Sequence, residues 1–214
     1  MDITQTIALT MGVAWASGIN LYAAIVMLGY LGSTGNIDLP PELQLLTNPV
    51  IMLAAGVMYC IEFFADKVPG VDTGWDLIQT FIRIPAGAAL AAGAMGDVGT
   101  GSQLAAAITG GTLATGSHLA KAGGRVLINT SPEPFTNWFA SIGEDVAVIA
   151  GLWTALHHPL LFLIFLVLFI MAMAWLLPRI WGGIRRVLAK LGRLAGAPES
   201  GTVQKPSSLS DIRK

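Results

Sequence analysis

Apolar residues run along the chain in six blocks, at about 7–31, 47–64, 75–95, 104–123, 138–156 and 160–177. A tilted membrane helix needs roughly 20 such residues, so the pattern predicts an all-α polytopic membrane protein with about six transmembrane helices. The sixth block, LLFLIFLVLFIMAMAWLL, carries no polar stripe and is expected to be the helix most exposed to lipid. The others are interrupted, by Ser17 and Asn20 midway along the first, by Arg83 and Pro85 in the third, and by many Gly, Ala and Thr in the fourth. Small side chains there permit close helix packing.

The interruptions are ordered, because positions three, four or seven apart share one face of a helix. Asp72, Asp76, Gln79 and Arg83 form one stripe at the start of the third helix. Thr115, His118 and Lys121, continuing to Arg125, form another at the end of the fourth, and Asn137, Ser141 and Glu144, with Asp145 adjoining, form a third. The segment KAGGRVLINTSPEPFTNWFASIGED, residues 121–145, packs two cations, three acids, two Asn and two Pro. An ionisable side chain near the bilayer centre costs about 2.5–3.5 kcal/mol even on a lenient insertion scale. The three stripes are therefore expected to turn inward around a shared polar cavity open to the cytoplasm, with Glu62, Asp66 and Lys67 nearby. A plainer role for Lys67, Arg83, Lys121 and Arg125 is as anchors snorkelling to headgroups, which explains the short carboxylates poorly. Some of the acids also fit structural ion pairs, and His118 a hydrogen-bonded interior histidine.

Two connections look like more than turns. Pro132 and Pro134 forbid regular helix across NTSPEPFTN, which predicts a broken or re-entrant element, tolerated at membrane depth only where protein or a wet cavity covers it. ADKVPGVD, with Pro69 and Gly70, suggests a similar break.

Composition agrees with the block pattern. Of 214 residues, 54% are hydrophobic and 12% charged, and the mean hydropathy is +0.66, whereas a soluble domain carries about 25% charged residues. The single Cys60 lies in an apolar run and is expected to be a small buried hydrophobe. The acidic start MDITQTIALTM is unlike a signal peptide, so the first block is expected to remain a span. With six spans, Lys67 and Arg83 flank the second connection, Lys121 and Arg125 the fourth, and the remaining eight of twelve cations follow the sixth span. Cytoplasmic loops are enriched in Lys and Arg, so both termini are expected to be cytoplasmic.

The halves resemble each other weakly. ASGINLYAA at 16–24 aligns with ATGSHLAKA at 114–122, Gly12 aligns with Gly110, and PPELQLLTN echoes SPEPFTN. Three spans per half would make a 3+3 inverted repeat, an arrangement common among secondary transporters, although Ala- and Gly-rich segments also align by chance. The expected organisation is a transmembrane domain at 1–178 with halves 1–98 and 99–178, a basic amphipathic cytoplasmic segment at 179–194, and a disordered tail at 195–214.

The motifs SGINLY, EFFADKVPGVD followed by RIPAGA, and KAGGRVLINTSPEPFTNW followed by ED resemble a bacterial inner-membrane family catalogued as domain of unknown function 4126. The resemblance runs from about Gly18 to Trp153. It directs attention to the ionic and amide residues already named and implies no substrate. It leaves the sixth span and the basic tail outside.

Three functions follow. The first is a small transporter or flippase-like protein with an ion- or proton-coupled site open to the cytoplasm, moving an anionic or zwitterionic small molecule or lipid headgroup. Its substrate-binding candidates are Lys121, Arg125, Asn129, Glu133, Asn137, Arg83 and His118; its ion- or proton-coupling candidates are Glu144, Asp145, Glu62, Asp66, Asp72 and Asp76. With Lys67 counted, four cations face these seven acids, so a bound cation or protons would offset the difference. The second is a metal-dependent enzyme acting on lipid-linked phosphate, with Asp66, Asp72 and Asp76 on a divalent ion; HExxH, a Cys nucleophile and a repeated DxxD ladder are all missing. The third is a structural scaffold. The expected partners are the lipid bilayer, a small-molecule or lipid substrate and a second copy of the chain; nothing points to nucleic acid.

Overall fold

The computed structural model describes residues 2–129 and 134–195. Among them are six α-helices and no strand: α1 (Ile3–Ser33), α2 (Pro49–Ala65), α3 (Val71–Met95), α4 (Thr100–Ile128), α5 (Pro134–His157) and α6 (Pro159–Ala195), with a 3₁₀ helix at Pro41–Thr47 before α2. Burial is inverted relative to a water-soluble protein. Phe81 and Phe139 are 83% and 76% exposed, while Arg83 and Arg125 are 0% and 1% exposed. Apolar side chains outside and charges inside are what a hydrocarbon solvent selects, and this is a helical membrane protein.

Six helices do not make six evident spans. Four of them, α1, α3, α5 and the first part of α6, are long and apolar enough to cross a membrane. The 3₁₀ helix and α2 qualify as a fifth only when taken together, and they are bent by 67°. Alone, α2 has 17 residues, about 25 Å at about 1.5 Å per residue, short of the hydrocarbon thickness of about 30 Å. α4 is long enough, but its polar and small residues keep it below the apolarity of a lone span.

α1 is the central helix and touches each of the other five. It opens on a capping box, in which Gln5 N donates to Asp2 Oδ1 at 2.7 Å and Asp2 N to Gln5 Oε1 at 3.0 Å. It is not continuous. Asn20 has φ −145° and ψ 95°, and its Oδ1 accepts from Ala23 N at 3.0 Å, so Asn20 serves as the N-cap of a second half-helix. Around the break, small residues let backbones meet. A Cβ on Gly18 would collide with Ser117 and the Ala114 carbonyl, and one on Gly87 with Ser17 and Ala114. Ser117 Oγ donates across this seam to Trp15 O at 3.0 Å. The rest of the interior is apolar, from Leu9 and Val13 to Leu28, Leu43 and Leu90, with Trp15 edge-on to Phe162 and Phe169 at centroid distances of 6.2 and 5.9 Å.

Several expectations change. Cys60 is exposed on the outer face of α2, since an apolar side chain facing lipid needs no burial. α6 runs through Pro178 to Ala195 without a break, so the basic segment prolongs the sixth helix. ADKVPGVD forms an ordinary turn between α2 and α3, with Gly70 at φ 87° supplying the reversal. The predicted broken element at NTSPEPFTN falls on residues 130–133, and the predicted tail on 196–214, outside the described residues. The break in α1 has no counterpart in α4, which is helical from Thr100 to Ile128, so the two aligned halves differ at the paired positions Asn20 and His118.

Candidate functional site

The C-terminal ends of α2 and α4 and the N-terminal ends of α3 and α5 meet at one end of the bundle, and their polar stripes face one another. Arg83 lies twelve residues beyond the start of α3, about 18 Å along it at about 1.5 Å per residue. Its Nη2 donates to Glu62 Oε1 at 2.5 Å, and its Nη1 lies 3.4 Å from Asp76 Oδ1 and 3.5 Å from His118 Nδ1. Lys121, fully inside the bundle, is a hub for four carboxylates. Its Nζ is 2.8 Å from Asp66, 3.0 Å from Glu62, 3.5 Å from Glu144 and 3.8 Å from Asp76. Arg125 holds Glu144 with two nitrogens, at 2.8 and 3.3 Å, the fork geometry that makes guanidinium–carboxylate pairs strong. Its Nη1 also donates to the carbonyls of Asp66 and Asn137 at 2.9 and 3.2 Å.

Above this core an amide layer closes the end of the bundle. Asn129 Nδ2 donates to both Asp72 oxygens, at 2.8 and 2.9 Å, and to Thr73 Oγ1 at 3.0 Å. Asn137 Nδ2 donates to Asn129 Oδ1 at 2.8 Å. Lys67, in the α2–α3 turn, donates to Phe63 O at 3.0 Å with its ammonium over the Phe63 ring. Desolvation pushes Lys67 below the usual lysine range, against the pull of Asp145 and Asp66.

Asp145 takes no part in the ion pairs around Arg83, Lys121 and Arg125. Its Oδ1 accepts from Asn20 Nδ2 and its Oδ2 from Tyr59 Oη, each at 2.9 Å, and no cation ion-pairs with it among the described residues. Asp72 is likewise held by neutral donors, and of these two acids Asp145 is the one joined to the break in α1. Beside it, Gln79 Nε2 donates to Tyr22 Oη at 3.1 Å, and Thr80 Oγ1 lies 2.7 Å from His118 Nε2.

Charge does not balance in this interior. Glu62, Asp66, Asp72, Asp76, Glu144 and Asp145 face Lys67, Arg83, Lys121 and Arg125, six acids against four cations. Glu62 Oε2, Asp66 Oδ1 and Asp76 Oδ2 are buried without a hydrogen-bond partner, an arrangement that costs free energy while those oxygens carry charge. The acids are spaced apart by the cations between them, and no three His, Cys, Asp or Glu side chains converge into a metal-holding group among the described residues. Glu144 is the wettest member, with its side chain 20% exposed, against 0–4% for Glu62, Asp66, Asp76, Arg83, Lys121 and Arg125.

A model of the family described as "Domain of unknown function (DUF4126)" matches residues 7–179. The chain belongs to that family. The DUF4126 match includes the apolar part of α6, beyond the motif-bearing region of the sequence, and stops where the basic end of that helix begins. No curated protein and no solved structure matches the chain.

The structure brings together all the sequence-predicted residues that it describes; Glu133 lies outside the described residues. Among the described residues these side chains pack directly on one another, and the five grooves described are lined by other residues. Thr115 is not part of the cluster, its hydroxyl bonding back to Gly111 O at 2.7 Å. Sequence reasoning passed over Asn20, Tyr22 and Tyr59 as site residues. The available signals were the polar Asn20 midway along the first apolar block, the motif SGINLY, which holds Asn20 and Tyr22, and the alignment that pairs Asn20 with His118.

Proposed function

We propose that this DUF4126 chain is a small transporter or flippase-like protein, moving an anionic or zwitterionic small molecule or lipid headgroup in exchange with, or together with, protons. The observation that carries the reading is the discontinuity of α1 at Asn20, hydrogen-bonded to Asp145, an acid that accepts from the neutral groups of Asn20 and Tyr59 and forms no ion pair among the described residues. Broken helices near the middle of a bundle are how membrane carriers expose backbone groups to substrates and ions. In this reading Asp145 carries the proton: Tyr59, whose hydroxyl can accept as well as donate, tolerates either state. Glu144, partly exposed, is the counter-ion that an incoming anion displaces from Arg125, and Lys121, already against Glu62, Asp66 and Asp76, exchanges its Glu144 contact for the same anion. Arg83, His118, Asn129 and Asn137 hold the surrounding network, and Glu62, Asp66, Asp72 and Asp76 set its charge.

The site would open to the cytoplasm of a bacterial inner membrane, with both termini on that side and six helices crossing, as the distribution of cations supports. The two repeat halves would rock about this polar site. The lack of a converging metal-ligand group among the described residues favours transport over metal-dependent phosphate chemistry. One observation favours a structural ionic core instead, namely that the described side chains of the cluster pack directly on one another.

Reconstituted vesicles separate these readings. Wild-type chain is expected to accelerate fluorescent phosphatidylglycerol across the bilayer, or glycerol phosphate into the lumen, faster under an imposed pH gradient. Asp145→Asn should remove the gradient dependence while leaving the melting temperature nearly unchanged. If neither probe moves faster than in protein-free vesicles, the transport reading falls and the structural core stands.

A further inference from the structure

On the outer face of the bundle, away from the ionic core, α4 and α6 leave two apolar grooves that meet at Leu177. One, of about 290 Å³, lies between Leu77, Leu119, Val126, Ile180 and Trp181 and touches Thr73. The other, of about 440 Å³, continues toward Ile108 and Met173. Both lie within or near the size range of small-molecule sites, about 300–1,000 Å³. The seam between them is fixed, because Gly123 lets Ile180 press against the α4 backbone and Gly183 does the same for Leu127.

What distinguishes this groove from other lipid-facing surface is the cation beside its wall, Arg185, on a helix whose sequence is basic. From Pro159 to Ala195, α6 contains five cations, Arg179, Arg185, Arg186, Lys190 and Arg193, and no acid. Arg185 is exposed, with its guanidinium 5.4 Å from the ring centroid of Trp181, which is itself a wall of the groove. A cation stacked on an aromatic at the mouth of an acyl-sized groove meets both parts of an anionic lipid at once. The first groove also touches Thr73, whose hydroxyl accepts from Asn129 of the amide layer.

We infer that the α4–α6 groove is a binding site for one phospholipid with an anionic headgroup, its acyl chain along Leu119, Val126 and Leu177 and its phosphate against Arg185. The site is independent of the transport reading, since it requires no movement of the lipid.

The test uses the full chain in vesicles of phosphatidylcholine doped with phosphatidylglycerol carrying a photoreactive group in its acyl chain. Illumination is expected to label peptides containing 119–126 and 177–181. Labelling of those peptides should fall at least tenfold when the photoreactive lipid is phosphatidylcholine, and similarly in Arg185→Gln. Filling the groove with Ala122→Phe should displace the label without changing that pattern elsewhere. Labels spread evenly over other lipid-facing residues such as Phe139 and Ile164, or equal labelling by the two headgroups, would overturn the site. Because the wild-type chain alone gives both contrasts, a variant that fails to fold does not decide the result.

Discussion

The two ends of this bundle solve the same packing problem in opposite ways. At one end, where α1 finishes and the 3₁₀ helix begins, Leu28, Leu39, Leu43, Leu46 and Leu90 fill the space. At the other, Glu62, Asp66, Asp76, Arg83, Lys121 and Arg125 fill it with charge. In lipid, helix association gains no hydrophobic driving force, and packing and hydrogen bonds decide. The apolar end is therefore held by many small, separable contacts. The ionic end is held by groups that are costly singly and tolerable only together, and its acids exceed its cations. A purely architectural element has no need of that excess, which is why the ionic end, and not the leucine end, is the place to look for work.

The comparison is sharpest at Arg83. Replacing it with Gln leaves Glu62 and Asp76 buried beside a neutral group, and loss of one partner of a buried pair costs about 3–5 kcal/mol. A marked fall in melting temperature is expected, partly recovered in Glu62→Leu/Arg83→Met, where the pair is replaced together. Leu28, 0% exposed, represents the apolar end. Because only packing is lost in a lipid solvent, Leu28→Ala should cost about 2 kcal/mol, the low end for such truncations, by the same melting assay. The smallest effect belongs to the outer surface. Phe81→Ala, at a side chain 83% exposed, should stay within about 0.5 kcal/mol. A Phe81 effect as large as that of Arg83 would mean that the inside and outside of α3 are misassigned.

The ionic end was legible because helical periodicity is strict. Asp72, Asp76, Gln79 and Arg83 fall on one face by spacing alone, and a charge on a membrane helix has to turn inward. Which carboxylate meets which cation was not legible, since Lys121 reaches acids on three different helices and long side chains choose partners only once the helices are placed. The break in α1 gave no local warning either. Asn20 is followed by Leu, Tyr and two Ala, all compatible with helix, and it leaves the helical region only where its side chain can cap Ala23 and reach Asp145. Pro85, by contrast, looked like an interruption and is accommodated within α3, as Pro178 is within α6. In hydrocarbon, neighbouring helices impose continuity that a proline in water would end.

The central claim is that the ionic end is a site reached through Glu144, and not a sealed core. In a chain whose only cysteine has been removed by Cys60→Ser, Glu144→Cys can be exposed to a small, negatively charged, membrane-impermeant thiol reagent. Labelling is predicted from one side of the membrane only, the side bearing the basic end of α6, and should slow when an anionic competitor is added. A folded Glu144→Cys chain that reacts from neither side would contradict the account.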